Sequence, residues 1–521
     1  MTIAVSAIRD FLNKEREDWR WIKTLSEKDM LEELHDIAPK LRFKTKPRDY
    51  QLASLLLGIY NRQFLFLLDM GGGKSKIVLD TLNYHRLKGR IKRTLVVVPS
   101  PVNISDFAEQ IETHSNIPYL ELTGHKNERL NKLDGFEDGI AIINYAGLMA
   151  MTTDHVENRF MPIPSLVQEF ARKFDSVVFD EIHMAKNRNT LTFKLCYMIS
   201  RRYEFRYGLT GTPMGRDPMD LWAQFKIIDE GETLGHNITL YRNAFFKTKI
   251  NYWGAYEFIF DKSKSELLNE LIANKSIRYE ASEMVSLPPV SKKMIHITLP
   301  WENGDYYRQA VQGMIQAKGN KTEIDNNFVR LRQISSGYFM YKMDEEKILV
   351  NFKENPKLES LMSLIESLPF DSKAVVVHEF IHSGRLIAKE LKERKIKFVH
   401  LEGATKDKSE VRTKFKTDKS VKIFLMNWKS GSMGLNLQEA NYMFFFESPV
   451  SPISRTQTER RVHRSGQNKH TFIYDFTCSK VEQKIQEYLR EGKNLFEELI
   501  NGRVSANSFL DTGKKKERKR R

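Results

Sequence analysis

The chain is poor in cysteine and lacks any long apolar run. Only Cys196 and Cys478 occur in its 521 residues, which excludes a four-cysteine zinc site and a disulfide framework. No apolar stretch approaches the roughly 18 residues that a membrane helix needs, and the N-terminus becomes charged too early for a secretory signal. No internal repeat has the period of a solenoid. These absences predict a soluble, intracellular protein with reduced cysteines and no membrane contact.

Length and charge describe a large, basic, globular chain. The chain has room for about three or four domain-sized units, and 41% of its residues are hydrophobic. The formal net charge is +16, and the terminal segment 514–521 contributes seven basic residues and one acidic residue to it. A basic surface favours polyanions, foremost nucleic acid. The terminal segment fits a nucleic-acid arm, a nuclear-localisation-like patch or a solvated end.

Short β-rich runs alternate with helical patterns in two separate stretches of the chain. The first set is 64–68, 94–98, 140–144, 176–179 and 207–209, and the second is 374–378, 397–401, 422–426, 442–446 and 471–475. Continuous apolar strands that alternate with helices indicate parallel sheets covered on both faces. We therefore predict an α/β protein with two parallel-sheet lobes. The predicted segments are an N-terminal helical extension (1–44), lobe one (45–230), a helical insertion (231–345), lobe two (346–490) and a basic tail (491–521).

A glycine-rich loop follows the first predicted strand. The run Leu68–Ser75 turns through three glycines, among them Gly71 and Gly73, into a helical pattern. Backbone N–H groups at such a helix start bind phosphates, Lys74 adds positive charge, and the hydroxyl of Ser75 can ligate Mg²⁺. The first position of the run holds leucine where the usual motif has glycine. A loop that only turns the chain is therefore the alternative.

Two acids follow a later apolar strand. Asp180 and Glu181 come directly after Ser176–Phe179, so they are expected at the same sheet edge as the glycine loop. Asp180 can hold Mg²⁺, and Glu181 can polarise the water that attacks a γ-phosphate. Two ordinary acids that cap the next helix are the alternative. The phosphate loop upstream in the same lobe favours the catalytic interpretation.

A tight turn of small residues follows another strand of lobe one. It contains Thr210 and Thr212, whose hydroxyls can hydrogen-bond the acidic pair across the cleft. A plain turn is the alternative interpretation.

Two arginines in lobe two complete the set of chemical motifs. Arg461 and Arg464 are three residues apart, so on a helix they share one face. Planar, permanently charged guanidiniums suit the transition-state charge of phosphoryl transfer. For an isolated pair of arginines, the usual interpretation is a basic helix face exposed to solvent. The motifs upstream make that interpretation weaker here.

In order and spacing, these motifs resemble helicase superfamily two, and more narrowly its Swi/Snf-type branch of DNA-dependent ATPases. The resemblance covers about residues 45–490 and includes Asp220–Phe225, Leu331–Gln333 and Arg461–Gln467. It implies two RecA-like lobes with a helical insertion between them, and ATP and Mg²⁺ as cofactors. The absence of appended reader domains fits a compact bacterial or phage-like member.

The resemblance also implies a nucleotide site to which both lobes contribute. Its expected members are, for ATP, Arg48, Gln51, Gly71, Gly73, Lys74, Ser75, Gly434 and Gln457; for Mg²⁺, Ser75 and Asp180; for catalysis, Lys74, Glu181, Arg461 and Arg464; and for coupling to DNA, His183, Thr210 and Thr212. The chain departs from the family pattern at Ser75, which replaces threonine but keeps a metal-binding hydroxyl.

DNA contacts are expected in loops that follow lobe-one strands. Ser100, Thr123 and Tyr145 lie in such loops, where hydroxyls and backbone N–H groups suit phosphate contacts without sequence readout. Each loop can equally be a simple turn. Trp428 stands where the family has a small hydroxyl residue, and its indole either fills core or stacks on DNA.

The resemblance implies an ATP-dependent translocase on double-stranded or branched DNA. We expect a monomeric motor for fork regression, branch migration or protein displacement, with protein partners in replication or repair. Its compartment would be the cytoplasm of a bacterial or phage-infected cell, or the nucleus of a eukaryote. The rival functions are a strand-separating DNA or RNA helicase, a DNA-binding scaffold with an inactive ATPase fold, and a motor subunit of a restriction, defence or transcription-recycling complex.

Overall fold

The chain divides into two compact units, Met1–Ile250 with Tyr256–Ser286 and Leu287–Arg521. The structure, a computed structural model, describes residues 5–14, 19–69, 71–156, 159–211, 218–250, 256–284, 287–317, 320–343, 346–403, 405, 408–429, 435–464, 466–500 and 503–510. The first unit thus runs past residue 230, where the sequence suggests a boundary. The segment 231–345 is divided between the two units instead of forming one helical insertion.

A parallel sheet of seven strands organises the first unit. In chain order the described strands of this unit are β1 (Gln63–Leu68), β2 (Arg93–Val98), β3 (Tyr119–Glu121), β4 (Gly139–Asn144), β5 (Thr153–Val156), β6 (Arg159–Pro162), β7 (Ser176–Asp180), β8 (Phe205–Leu209), β9 (Phe246–Ile250), β10 (Tyr256–Phe260) and β11 (Ser276–Tyr279). The sheet has the order β11-β1-β8-β7-β2-β4-β3, while β5 with β6 and β9 with β10 form antiparallel hairpins.

Helices cover both faces of this sheet. They are α1 (Val5–Leu12), α2 (Glu27–Ile37), α3 (Asp49–Tyr60), α4 (Lys74–Leu87), α5 (Pro101–His114), α6 (Lys126–Leu133), α7 (Tyr145–Thr152), α8 (Pro164–Ala171), α9 (Leu191–Ser200), α10 (Met219–Asp229), α11 (Ile238–Phe245), α12 (Ser265–Ala273) and α13 (Ala281–Met284). Because side chains alternate along a strand, Leu65 and Leu67 belong to one apolar core and Phe64 and Phe66 to another. The two cores explain the uninterrupted apolar run of β1.

The second unit repeats the architecture with a six-stranded parallel sheet. Its described strands are β12 (Val290–His296), β13 (Tyr338–Met343), β14 (Glu346–Asn351), β15 (Ala374–His378), β16 (Phe398–Leu401), β17 (Ile423–Asn427), β18 (Tyr442–Phe445) and β19 (Thr471–Thr477). The sheet has the order β12-β19-β18-β15-β17-β16, and β13 with β14 forms an antiparallel hairpin.

The helices of the second unit lie on both sides of its sheet and in a separate helical cluster. They are α14 (Trp301–Gln316), α15 (Lys321–Ser335), α16 (Pro356–Glu366), α17 (Ile381–Glu393), α18 (Lys408–Thr417), α19 (Pro452–Glu459), α20 (Lys480–Arg490) and α21 (Leu495–Ile500). Val375 and Val377 pack in one core of this sheet, and Val376 packs in the other. The cluster centres on α14, α15, α20 and α21.

The prediction of an α/β chain with two RecA-like parallel sheets is confirmed, and each of the ten predicted β runs forms a strand. Sequence reasoning missed β3, β11 and β12, which lie at sheet edges. Each of these three strands pairs on one side only among the described strands and lacks a long apolar run; in β12 every residue is exposed or half-buried. In the part of the chain described above, no helix has both the length and the apolar character needed to cross a membrane.

Candidate nucleotide site

The glycine-rich loop joins β1 to α4 in a backbone conformation that requires glycine. Gly71 has a φ of 87° and Gly73 a φ of 70°, a left-handed region that other residues avoid. A Cβ on Gly73 would also overlap the Nε2 atom of Gln51. The helix begins at Lys74, whose Nζ atom donates a hydrogen bond to the carbonyl oxygen of Leu68 at 2.9 Å. The loop is therefore fixed in shape at the start of a helix.

The side-chain amide of Gln51 connects this loop to α3. Its Oε1 atom accepts a hydrogen bond from the Arg48 N–H at 3.0 Å, and its Nε2 atom donates to the Gly72 carbonyl at 3.3 Å. Gln51 is buried. The expected contact of Arg48 and Gln51 with ATP stays a prediction, and what the structure adds is that the Gln51 side chain also holds the loop through its hydrogen bond to Gly72.

Neighbouring strand ends bring the predicted catalytic Glu181 together with two residues predicted for coupling, His183 and Thr210. Strand β8 lies between β1 and β7, so Thr210, which follows β8, sits between the loop after β1 and the acids after β7. The His183 Nδ1 atom lies 3.0 Å from Thr210 Oγ1 and 3.1 Å from Glu181 Oε2. Thr210 Oγ1 also donates to Glu181 Oε2 at 3.4 Å. Thr212, the other predicted threonine, lies outside the described residues.

The two acids of this edge carry opposite pKa shifts. Burial and the charge of Glu181 raise the pKa of Asp180 to about 7. Burial alone would raise the pKa of Glu181 as well, but hydrogen bonds and charge from His183, together with Lys74 and Thr210, lower it to about 2. Glu181 thus stays ionised at neutral pH. Its φ of 48° is a strained value for a residue with a side chain.

Tyr145 supports the acidic strand from inside the protein. It is buried, and its hydroxyl donates a hydrogen bond to the Asp180 carbonyl at 3.0 Å. This placement does not fit the predicted contact of its side chain with a DNA backbone, which needs an exposed hydroxyl. We assign Tyr145 instead to positioning Asp180, because the hydrogen bond fixes the end of β7.

The residues of this edge fit ATP with Mg²⁺. The loop offers the N-terminus of α4, with Gly73 as its N-cap, and Lys74 adds a cation. Mg²⁺ prefers oxygen ligands, which the Ser75 hydroxyl and the Asp180 carboxylate supply. Burial, and after it the charge of Glu181, raises the pKa of Asp180, and a bound cation would favour the ionised carboxylate. A divalent cation is the group that such a carboxylate suits.

The second unit contains a buried cation. Arg461 is 2% exposed, and its Nε and Nη1 atoms have no hydrogen-bond partner in the described parts of the chain. Burial and the charge of Arg464 lower its pKa to about 10. Arg464 is half-buried. A buried guanidinium with unsatisfied donors is costly unless an anion binds it.

The main chain holds Arg461 in place. Its carbonyl oxygen accepts a hydrogen bond from the Leu437 N–H at 2.9 Å. Nearby, the buried Gln467 amide donates to the carbonyl oxygens of Ala440 at 2.7 Å and of Val462 at 3.2 Å. Sequence reasoning included Gln467 in a motif without giving it a role. The sequence feature that could have indicated this role is the position of the glutamine directly after Gly466. At such a turn, a side-chain amide can donate hydrogen bonds to several carbonyl oxygens.

The remaining predicted residues are placed as follows. The buried Ser100 hydroxyl bonds to Asn103 at 2.7 Å, at the start of α5, and Lys132 Nζ bonds to Thr123 Oγ1 at 2.9 Å. Trp428 is half-buried against the apolar core of the second unit, and Gln457 is half-buried on α19. Gly434 lies outside the described residues. The half-buried Trp428 agrees with core filling and leaves part of its indole exposed.

Comparison with known proteins relates this chain to one family. Residues 7–353 match the SNF2-related domain, and residues 356–466 match the helicase conserved C-terminal domain. Protein CHROMATIN REMODELING 5 of Arabidopsis thaliana is 23% identical over 362 residues, covering 65% of this chain and 20% of that protein. An uncharacterized ATP-dependent helicase of Mycoplasma genitalium is 23% identical over 441 residues, covering 83% of this chain and 39% of that protein.

A solved structure was also matched. The Sulfolobus solfataricus SWI2/SNF2 ATPase core in complex with dsDNA is 20% identical, with 90% of this chain and 96% of that chain covered and a TM-score of 0.38. The chain spans less than half the length of the two curated relatives named above.

Proposed function

The chain belongs to the SNF2-related family, within helicase superfamily two, and from this premise we propose that it is an ATP-driven translocase on double-stranded DNA. The observation that carries the proposal is the hydrogen-bonded set of Glu181, His183 and Thr210 beside the phosphate loop of the first unit. Phosphoryl transfer needs a phosphate cradle, a metal ligand and a residue that orients water. The first unit carries residues for all three.

In this proposal each residue has one task. The backbone of Gly71 and Gly73, with Lys74, would bind the β- and γ-phosphates, and Ser75 and Asp180 would hold Mg²⁺. Mg²⁺, when bound, neutralises charge that builds on the phosphates.

Glu181 would orient the attacking water, because its lowered pKa keeps the carboxylate ready to accept a hydrogen bond. Arg48, Gln51, Gly434 and Gln457 would contact the nucleotide elsewhere. His183 and Thr210 connect Glu181 to the end of β8 through hydrogen bonds. Through these contacts, binding and hydrolysis of the nucleotide would change the position of the DNA-binding loops.

The second unit would complete the reaction with its arginines. Arg461 and Arg464 would reach the γ-phosphate in a closed state, where the unsatisfied donors of Arg461 find an anion. Closing with ATP and opening after hydrolysis would then move the units along a duplex. Thr123, Trp428 and the backbone N–H of Ser100, whose hydroxyl is buried against Asn103, are the proposed contacts to the DNA backbone, with no sequence readout required.

An ATPase assay with a panel of nucleic acids tests the proposal. Linear duplex, single-stranded DNA, forks, junctions and RNA are compared, and Lys74→Ala serves as the inactive control. Duplex DNA is expected to stimulate hydrolysis most among unbranched substrates. Stronger stimulation by forks or junctions would favour fork regression or branch migration. Stimulation by RNA and not by duplex DNA would refute the translocase.

The rival functions separate in other assays. A strand-displacement assay distinguishes a translocase, which leaves strands paired, from an unwinding helicase. Purification with bound proteins would reveal a motor subunit of a restriction, defence or transcription-recycling complex. An inactive scaffold would bind DNA without any hydrolysis, which the presence of Lys74, Asp180, Glu181, Arg461 and Arg464 argues against.

A further inference from the structure

A row of cations lies on the first unit, between α2 and α3. Residues 40–48 place a basic residue at every second position and contain no acid. The side chains of this row, Lys40, Arg42, Lys44, Lys46 and Arg48, are all exposed, whereas those at positions 41, 43, 45 and 47 are buried or half-buried. Because one set packs inward, the other set is forced outward. The result is a linear series of positive charges.

The segment that carries this row is hydrogen-bonded to the end of α5. Lys44 Nζ donates to the Ser115 carbonyl at 3.1 Å, and Thr45 Oγ1 lies 2.7 Å from His114 Nδ1. Leu41 also donates its N–H to the Ala38 carbonyl at 2.9 Å. The row is therefore fixed before any partner arrives, which lowers the ordering cost of binding.

The first three cations of the row line a cleft of about 450 Å³, here called the basic cleft. Its lining also includes Asn83, Arg86 and Asn116, and no carboxylate. Arg86 is neutralised by two hydrogen bonds to Asp138 at 2.9 and 2.7 Å. In the parts of the chain that the structure describes, no carboxylate forms an ion pair with Lys40, Arg42 or Lys44. The basic cleft thus keeps a net positive charge.

We propose that the basic cleft binds the sugar–phosphate backbone of a nucleic acid, at a place separate from the motor loops. Exposed lysine and arginine side chains bind phosphates without reading sequence, and the amide groups of Asn83 and Asn116 can donate to phosphate oxygens as well. A small anion would need donors that converge on one point, whereas these cations follow one another along an open cleft. A linear polyanion fits such a row, and nucleic acid is the linear polyanion that this basic chain is expected to meet.

The test measures DNA binding of the full chain without nucleotide, so that it does not depend on the proposed motor activity. The triple variant Lys40→Glu, Arg42→Glu, Lys44→Glu is titrated with a labelled duplex between about 50 and 200 mM salt. Each lost phosphate contact lowers the slope of log K against log salt by about 0.9, so we expect a decrease of about 2 to 3 and a weakening of Kd by about tenfold or more.

A charge-matched control separates the basic cleft from a general loss of positive charge. Lys249→Glu, Lys262→Glu, Lys264→Glu changes the same number of charges on the same unit, and these lysines also have no carboxylate partner in the described parts of the chain. We expect the control to change Kd by less than about twofold, since long-range charge effects are screened at this salt. Equal losses in both triple variants, or an unchanged slope in the cleft variant, would overturn the proposal.

Lys44 also forms a hydrogen bond to Ser115 that supports the fold. A second variant therefore leaves Lys44 unchanged, to separate a loss of binding from a loss of stability. Lys40→Glu with Arg42→Glu keeps that bond and should lower the salt slope by about 1 to 2. Thermal unfolding should match the unsubstituted protein, as should ATP hydrolysis without DNA. A loss of binding without loss of basal hydrolysis supports the basic cleft even where the translocase proposal fails. Normal binding by this folded variant rejects the basic cleft and leaves the motor proposal intact.

Discussion

In the candidate site, Lys74 and Glu181 of the first unit have hydrogen-bond partners within that unit, whereas the principal cation of the second unit, Arg461, has two nitrogens without a partner among the described residues. Lys74 bonds to Leu68, and Glu181 bonds to His183 and Thr210. Arg461 is more deeply buried than Lys74 or Glu181, yet two of its nitrogens have no partner among the described residues. The first unit thus holds a self-supporting set of side chains. The second unit holds a cation at an electrostatic cost that only an external anion can offset.

The largest effect is expected from removing that cation. Arg461→Ala should lower kcat by about 10³-fold or more, as loss of an arginine finger does. Because it deletes a buried charge without partners, the same change should leave the melting temperature unchanged or raise it. Steady-state phosphate release and thermal unfolding measure the two effects.

Lys469→Ala is the control for this change, since Lys469 lies in the same segment but pairs with Asp371 at the surface. It should alter kcat by less than about twofold, because exposed ion pairs contribute little. A kcat for Arg461→Ala close to that of the control would show that the buried cation of the second unit has no role in ATP hydrolysis.

The second prediction concerns the partnered set of the first unit. Glu181→Gln should lower kcat by about 10²- to 10⁴-fold, the usual contribution of a residue that takes up a proton, while nucleotide binding persists. The amide oxygen can still accept a hydrogen bond from Thr210. Single-turnover hydrolysis and nucleotide titration report the two quantities.

Glu230→Gln is a matched control, because Glu230 also has a positive φ, 59°, and bonds to Arg206. Turnover similar to wild type is expected for it. If Glu181→Gln loses nucleotide binding as well as turnover, then Glu181 supports the loop and does not act on water.

The third prediction compares buried histidines, one in each unit. Burial lowers the pKa of His85 to about 4 in the first unit, and burial with the charge of His400 lowers that of His378 to about 3 in the second. Unfolded histidine takes up a proton near pH 6.5, so the unfolded chain binds more protons on acidification. The stabilisation is complete above about pH 6.5 and is lost as the pH falls, by up to roughly 3 kcal/mol for His85.

Melting temperatures between about pH 7.5 and 4.5 measure this loss. In His85→Gln the amide can still meet the Tyr207 hydroxyl, which lies 2.9 Å from His85 Nε2, and the melting temperature of the first unit should fall less steeply with acid. The second unit should keep its slope. Parallel curves for the variant and wild type would show that His85 does not control the acid response.

The smallest effect on stability and activity is expected from a substitution in the glycine-rich loop. Gly73→Ala should cost about 1 kcal/mol of stability through its left-handed backbone and should further weaken nucleotide binding by displacing Gln51. Gly89→Ala has a similar φ, 67°, but its new Cβ meets open space. Equal nucleotide affinity in the two variants would mean that Gln51 does not brace the loop.

The sequence predicted the central strands of both sheets and the edge strand β16, and it missed the edge strands β3, β11 and β12 and the strands of the hairpins. Phe64–Leu68 is apolar throughout because both faces are covered. Ser276–Tyr279 has only one neighbouring strand and includes an exposed arginine, so no apolar run marks it. Whether such a segment forms a strand depends on its pairing with a distant segment and not on its local sequence pattern.

The same limit applies to the candidate site. The loop, the acids and the arginines follow from residue type and spacing, because each motif is local. The hydrogen bond from Tyr145 to the end of β7 joins segments that meet only in the folded sheet, and sequence reasoning therefore assigned Tyr145 to a loop that contacts DNA. The bracing of the loop by Gln51 escaped notice for the same reason.

The late position of β11 in the chain has a consequence for how the protein is made. A ribosome releases β1 long before it reaches Ser276–Tyr279, so the strand that leads into the phosphate loop waits during synthesis with one side unpaired. A recombinant fragment cut at residue 230 would keep that open edge permanently and invite pairing with other chains. Fragments of the first unit should therefore extend to residue 286, where β11 and α13 are complete.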